Sequence, residues 1–526
     1  MVKDSSFWAE DIVKQMTKIK RKEYVCEGMW TPSGYFHIGN ARPEIFTPYT
    51  VFLELEKEGF KTRQNLVYDD FDPLKKIPAG IPVTKEQEKE FLGKPVKLAP
   101  SPFEGHKSWA DYFETQVTEA LPEMGLSHLN IQSAYDNYKE GKMNDLIIFS
   151  LSHAKEIVKI WNEVSGSEKP ESFLPVTMIC EKCGRMNSTE ATNWDGKKVK
   201  YKCECGYEKE DSPLDGKGKL HWRVHWVAHW VLNNVAFESG GKDHFSKGSS
   251  VDVGRRMIKE VFKKDAPVGV PTEFIQVGGA KMAGSVGNVV DLKEWLRVAS
   301  PETFRYLYLS NRPNHVIEFS LNDNSFILLN ERFERAERVF YGKEKAENEH
   351  IEETLKRAYE MSVIGKTKKD APTRIPYSFA TQIAGIINPN EGFSEILGLL
   401  KKTKHIEKIS KENEENLKKE FVRARNWVEK YNSQNLITFN ANVNVKEFSE
   451  FKELFSKSAQ AIKSKETQDD IQQAIYEIAK ELKIEMNDAF KVFYQLLIGK
   501  ERGPRLGTLI MALGKEKVIK RLKEFN

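Results

Sequence analysis

The stretch from residue 24 to residue 68 constrains the fold most. Residues 24–29 (YVCEGM) are a short apolar run with the length and branching of a strand. The turn 31–40 (TPSGYFHIGN) follows, and then EIFTPYTVFLELEKEG reads as a helix ending at Gly59. Pro43 is tolerable in its first turn, where no intrahelical N–H is needed. Residues 63–68 (RQNLVY) form a second strand, closed by the acidic DDFDP. Strand, glycine turn, helix, strand is a βαβ unit, and its crossover makes the two strands parallel. A nucleotide bound to such a unit lies at the C-terminal end of the first strand, over the helix N-terminus. Unpaired N–H groups and the positive end of the helix dipole favour phosphate there.

A chain of 526 residues is too long for one hydrophobic core, so several domains are expected. With 40% hydrophobic and 30% charged residues it is globular rather than disordered or fibrous. No apolar stretch is long enough to span a bilayer, and residues 1–23 read as an amphipathic helix without a cleavage site. A cytoplasmic protein with no membrane partner is the expectation. Net charge is only +4, so any nucleic-acid surface must come from local clustering.

Residues 274–296 (FIQVGGAKMAGSVGNVVDLKEWL) again read as strand, glycine loop and helix. The glycines let backbone approach a ligand closely, and Lys281 adds a mobile positive charge. Either loop alone is weak as a signal. A His-bearing turn early and a Lys-bearing loop late, both at strand ends, form a more specific pair.

Four of the five cysteines make a separate unit: Cys180-x2-Cys183, then Cys203-x-Cys205. Four thiolates suit tetrahedral zinc, and Gly184 and Gly206 let the chain turn over a metal. Four protein ligands leave no open position, so this zinc is expected to be structural. Cys26, in the first strand, reads as a core residue.

The paired loops resemble the two signatures of class I aminoacyl-tRNA synthetases. His37-Ile38-Gly39-Asn40 stands for the HIGH turn, and Lys281-Met282-Ala283-Gly284-Ser285 for the KMSKS loop. Within that class the chain is similar to the class I lysyl-tRNA synthetases found mostly in archaea. TPSG before the His, DDFDPLKKIP, GKDH at 241–244, PETFRYLYL and GKERGPRLG at 499–507 match in order and spacing. LHWRVHW at 220–226 is close to the family's LPWRVDW.

The resemblance implies an α/β Rossmann-type parallel-sheet catalytic domain with a zinc-binding insertion, followed by an all-α domain. Boundaries are expected at 1–300 for the catalytic domain (insertion about 172–212), 301–375 for a connecting stem-contact region and 376–526 for a helical anticodon-binding domain. It implies that lysine attacks the α-phosphate of ATP, with Mg2+ on the phosphates, and that the acyl group passes to the 3′ end of tRNA(Lys). His37, Asn40, Lys281 and Ser285 are the implied catalytic residues. Thr31, Ser33, Gly34, Gly39, Gly279 and Met282 are implied with His37, Asn40 and Lys281 in ATP binding. Trp222 and His244 are implied in the amino-acid pocket. Catalysis of this kind is mostly positioning and charge stabilisation. A monomer is expected.

The chain departs from its family at several positions. Val286 stands where a second loop lysine falls, Ala283 and Gly284 replace serines, His225 stands for Asp, and Thr272 stands near a usual Tyr. A second metal cluster of some relatives falls at Ser101, Gly105, His106 and Tyr112, so only one zinc is expected. A substrate ammonium needs a carboxylate partner, because an unpaired buried charge is costly. Glu44, Asp69 and Asp70 are the candidates, each with a rival role as a helix-terminal acid or surface pair.

From about Asp323 helical periodicity takes over. Leu417, Phe421, Ala424 and Val428 share one face, and Ile471, Ala474, Ile475, Ile478, Ala479 and Leu482 another. KTKKDAPTRIP at 366–376 reads as a boundary loop. Residues 500–526 carry eight basic and three acidic side chains, a solvated face or a contact for tRNA phosphates. Two alternatives stay open: a synthetase of this class for glutamate or cysteine, and a tRNA-binding paralogue or other nucleotidyltransferase that does not aminoacylate.

Overall fold

The structure is a computed structural model. It describes residues 7–277, 279–281, 289–440 and 445–525, with 280–281 and 445–446 by backbone alone. The chain divides into two compact units, one made of Met1–Trp295, Pro301–Phe319 and Gly342–Thr367, the other of Leu296–Ser300, Ser320–Tyr341 and Lys368–Asn526.

The first unit is built on a five-stranded sheet of β1 (Tyr24–Trp30), β2 (Thr62–Tyr68), β3 (Asn130–Ser133), β4 (Val235–Gly241) and β5 (Val268–Thr272). The strand order is β5-β4-β1-β2-β3 and every pairing is parallel. Every residue of β1 is buried, as expected of a central parallel strand with both faces covered. The order reverses between β1 and β4. Open parallel sheets bind ligands in the crevice beyond the strand ends at such a switch point.

The helix after the His turn is not regular. Ile38–Ala41 is one α-turn, Arg42–Phe46 is π-helical, and Thr47–Lys57 returns to α. The sequence reading, an ordinary helix from Glu44, missed the widened turn. Pro43 lacks the N–H that an i→i−4 ladder needs, and a π-turn is one way to accommodate that gap. Gly59 ends the helix as expected, in the left-handed region at φ 84°.

The strand expected before the Lys loop forms at Ile275–Val277. Ile275–Val277 does not join the five-stranded sheet; it pairs with Ala280–Lys281 and with Ile317–Glu318 in a small sheet of its own. The helix after that loop forms at Leu292–Val298.

Between β3 and β4 the chain inserts a small module. Its strands Thr189–Trp194, Val199–Cys203 and Glu208–Asp211 form a meander, and Val176–Met178 pairs with Gly218–Leu220.

The second unit is helical. Asp323 caps the helix Asn324–Phe340 through its side chain. The apolar face expected on Lys411–Tyr431 is buried at Leu417, Phe421, Ala424 and Val428. On Gln468–Glu481, Ile471, Ala474, Ile475 and Ala479 are buried likewise. Among the described residues no helix is long and apolar enough to cross a membrane.

Candidate active site

The ends of β1, β4 and β5 open into a cavity of about 940 Å³. Thr31, Ser33, Gly34, His37, Gly39 and Asn40 line one side of it. Each follows β1 directly, so the parallel sheet places the whole turn at the switch point.

His37 caps its helix. Its Nδ1 accepts the Gly39 N–H at 3.1 Å, and Asn40 Oδ1 accepts the His37 N–H at 3.2 Å. An accepting Nδ1 puts the proton of a neutral imidazole on Nε2, which is then a donor suited to phosphate oxygen. Gly39 is required for this fold-back: a Cβ there would lie 2.8 Å from the imidazole. Tyr308, from the PETFRYLYL segment, donates its hydroxyl to the Ile38 carbonyl at 2.9 Å and stacks on Phe46 at 4.6 Å.

The Lys loop reaches the same place through its backbone. Ile38 N–H donates to Val290 O at 3.0 Å, and His37 forms a β-bridge with Asp291. Lys281 is the last residue of the small hairpin, opposite Gln276. The Val290–Asp291 end of the loop is therefore at the site. Met282 and Ser285 lie outside the described residues, as does the Lys281 side chain. Gly279 has a left-handed φ of 77°, and its N–H donates to Glu318 Oε1 at 3.0 Å.

Three acids were candidates for holding a substrate cation, and they are placed very differently. Glu44 lines the cavity. Its Oε2 accepts the Met29 N–H at 3.0 Å. Shielding from water pushes its carboxyl up to about 8, partly offset by that hydrogen bond. Asp69 is fully buried and accepts from Lys219 Nζ at 2.6 Å. Asp70 is fully buried too; it accepts from Ser133 Oγ at 2.5 Å and the Tyr135 N–H at 2.7 Å, and pairs with Lys97 at 3.0 Å. Ser133 caps the helix Ala134–Lys139 and Asp70 supports that cap, and neither aspartate lines the cavity.

Lys219 was not foreseen. It lines the cavity, is 2% exposed, and bridges Asp69 to Asp72, with Nζ 2.5 Å from Asp72 Oδ1. Only the three-aspartate cluster hinted that a cation belonged there. His225 sits behind it, wholly buried, with Nδ1 2.9 Å from the Tyr138 hydroxyl, and burial drives its pKa well down.

Trp222 and His244 also line the cavity, with Asp243, Thr272 and Glu273. Glu44 owes its place to Gly28. A Cβ on Gly28 would lie 2.0 Å from the Glu44 carbonyl oxygen, so only glycine lets the π-turn close on β1. Gly28→Ala is expected to cost about 1–3 kcal/mol by overpacking. A lowered midpoint in thermal unfolding checks this; an unchanged one would show that the turn can back away freely.

The four cysteines come together in the inserted module. Cys180 and Cys205 sulfurs are 3.7 Å apart, as are those of Cys183 and Cys203, and all four lie within 4.8 Å of one another. Tetrahedral coordination with bonds of about 2.3 Å needs sulfurs roughly 3.8 Å apart, so the thiols fit such an ion. Gly184 and Gly206 turn the two knuckles at φ 72° and 81°. Near the upstream positions, Phe103 stacks on Tyr112 at 3.7 Å, and His106 Nδ1 is 3.3 Å from Asp111.

Comparison with known proteins agrees with this arrangement. Residues 6–365 match the family model described as tRNA synthetases class I (K), and residues 435–526 match an anticodon binding domain. The lysine–tRNA ligase of Pyrococcus furiosus is 34% identical over 537 residues, spanning 99% of both chains. That of Methanosphaera stadtmanae is 31% identical over 532 residues, again spanning 99% of both. The lysine–tRNA ligase of Methanocaldococcus jannaschii is 32% identical over 538 residues, covering 98% of this chain and 99% of its own.

Proposed function

This chain belongs to the class I (K) family of tRNA synthetases, and from that we infer that it is a lysine–tRNA ligase. It activates L-lysine with ATP, releasing pyrophosphate, and transfers the lysyl group to the 3′ end of tRNA(Lys). The observation that carries this reading is identity of 30% or more to lysine–tRNA ligases over nearly the whole chain, the anticodon-binding segment included.

The residues divide the work as follows. The His37 turn receives the triphosphate of ATP, with the His37 imidazole and the Asn40 side-chain amide toward phosphate oxygens, while the Gly39 and Asn40 backbone amides are held by His37 itself. Thr31, Ser33 and Gly34 shape the same side, and Gly279 leaves room for the nucleoside. Lys281, with Ser285 and Met282 on its loop, meets the phosphates as pyrophosphate leaves. That contact is strongest in the transition state, where it raises the rate rather than the affinity. Magnesium enters with ATP and neutralises phosphate charge. Glu44 holds the lysine ε-ammonium between the strand end and the Trp222–His244 wall. The placement of the three acids supports Glu44 over Asp69 and Asp70, whose oxygens already serve Lys219 and Lys97.

The first unit is the catalytic part, and the 435–526 segment of the second contacts the anticodon. We take the protein to act in the cytoplasm as a monomer. Pyrophosphate exchange against all twenty amino acids tests the function. Lysine is expected as the substrate; exchange with glutamate or cysteine instead would overturn the assignment, and tRNA binding without any exchange would make the chain a paralogue.

The cysteine cluster holds one structural zinc. Elemental analysis is expected to find one zinc per chain, lost together in the double variant Cys180→Ser/Cys203→Ser. A content of two would place a second site elsewhere, and none would leave the four thiols without a metal role.

A further inference from the structure

Glu238 has no place in the reading above. Its side chain leaves β4 and is 3% exposed. Oε1 accepts the Trp226 Nε1–H at 2.5 Å, and Oε2 accepts the Trp230 Nε1–H. Both indoles stand on the helix Trp222–Asn233, one turn apart and therefore on one face. Trp230 is wedged from behind: a Cβ on Gly254 would lie 2.9 Å from its ring. Trp226 reaches the other way. It stacks on Trp222 with centroids 5.0 Å apart and planes at 24°, and meets His244 edge-on at 5.4 Å and 75°. Trp222 and His244 line the cavity, while Trp226, 4% exposed, backs them.

We propose that Glu238 is a positioning residue for amino-acid binding, clamping Trp226 so that the Trp222–His244 wall of the cavity keeps its shape.

The choice of side chain argues for this. Glu238 faces Glu27, its register partner on β1, whose Oε1 has no hydrogen-bond partner among the described residues. Burial, and for Glu238 the neighbouring acid as well, pushes both carboxyls up, and an apolar residue would avoid the cost of burying them. Two convergent indole N–H donors, however, need two acceptor atoms on one side chain. A carboxyl group has them; a glutamine turns its amide NH2 toward one of the donors. The second bond fastens Trp230, which is already wedged, so the first holds Trp226 against a fixed point. Ring orientation in the wall follows, since Trp222 and His244 both contact Trp226.

The inference rests on the cavity being the lysine site. Its test uses the full-length protein, with lysine and ATP each varied in pyrophosphate exchange. Glu238→Gln is expected to raise the lysine KM at least tenfold and the ATP KM less than twofold. It is also expected to shrink the change in tryptophan fluorescence on adding lysine alone. Trp226→Phe keeps a ring but loses the N–H, and is expected to show the same split; it carries the test by itself if Glu238→Gln does not fold. An unchanged lysine KM, a parallel rise in both KM values, or loss of folding in both variants would overturn the clamp. Wild-type protein that exchanges with another amino acid would instead refute the lysine reading. The same split measured for that amino acid then decides the clamp.

Discussion

Lys281→Ala is expected to slow lysine activation about 30- to 1000-fold while leaving stability nearly unchanged, the range that removal of one preorganised charge donor, about 2–4 kcal/mol, produces. Lys281 ends a two-stranded hairpin, and the chain beyond its loop returns to pair with the His turn at Val290 and Asp291. The chain after the loop is thus fastened beside the His37 turn that lines the cavity. Residues 282–288 (MAGSVGN) carry no other cation, so no loop neighbour can stand in for the lost charge. The loss should fall on kcat, with the lysine and ATP KM values little changed, because the contact matters most as pyrophosphate leaves. Exchange at the wild-type rate in the variant would remove Lys281 from the mechanism. A fall in both kcat and thermal midpoint would make it a packing residue.

Glu44→Gln is expected to raise the lysine KM by roughly 30- to 1000-fold, since removing one partner of a shielded charge pair costs about 2–4 kcal/mol. Glutamine can still accept the Met29 N–H, so the turn should stay closed. A pH signature separates recognition from a structural role. In the free site the Glu44 carboxyl, raised to about 8, is largely protonated at neutral pH. A bound ammonium favours the carboxylate, so binding lysine releases a proton. Lysine affinity should therefore rise toward pH 8, by up to about tenfold per unit below it, and the slope should vanish in Glu44→Gln. Stability runs the other way. A carboxyl whose folded pKa lies above its unfolded value stabilises the fold at low pH and loses that contribution as pH rises through about 8. Ligand-free Glu44→Gln should then be the more stable protein at pH 8.5. An acid serving only the helix dipole predicts the opposite: lower stability and an unchanged lysine KM. Calorimetric binding of lysine between pH 6 and 8.5 distinguishes them.

Much of the fold was legible because its determinants are local. An apolar run, a glycine turn, a helix and a second apolar run can form little besides a βαβ unit. The cysteine spacings closed two knuckles without any knowledge of the surrounding sheet. The buried faces of Lys411–Tyr431 and Gln468–Glu481 were plain from periodicity. The His turn and the Lys loop were found because glycine, histidine and lysine at strand ends leave a mark on the sequence. One local feature was misread and one pairing was not legible. The π-turn at Arg42–Phe46 depends on how Pro43 and Gly28 share space with β1, and helical periodicity is insensitive to one widened turn. The strand Ile275–Val277 looks the same whether it joins the large sheet or the small one.

The sequence by itself determined the chemistry available: a glycine turn of the kind that suits phosphate, a loop lysine, four thiols at ligand spacing, and three acids near the start of the first helix and the end of the second strand. Tertiary structure alone decided which acid stays available. Lys219, 150 residues along the chain from Asp69, folds in to bridge Asp69 and Asp72, Lys97 reaches Asp70, and Glu44 alone of the three candidates lines the cavity. The clamp of Glu238 on two tryptophans belongs to the same category. The reason is physical. A residue type fixes what charge or hydrogen bond a side chain can offer, but whether that offer is already taken depends on neighbours that only the folded chain brings within a few ångströms.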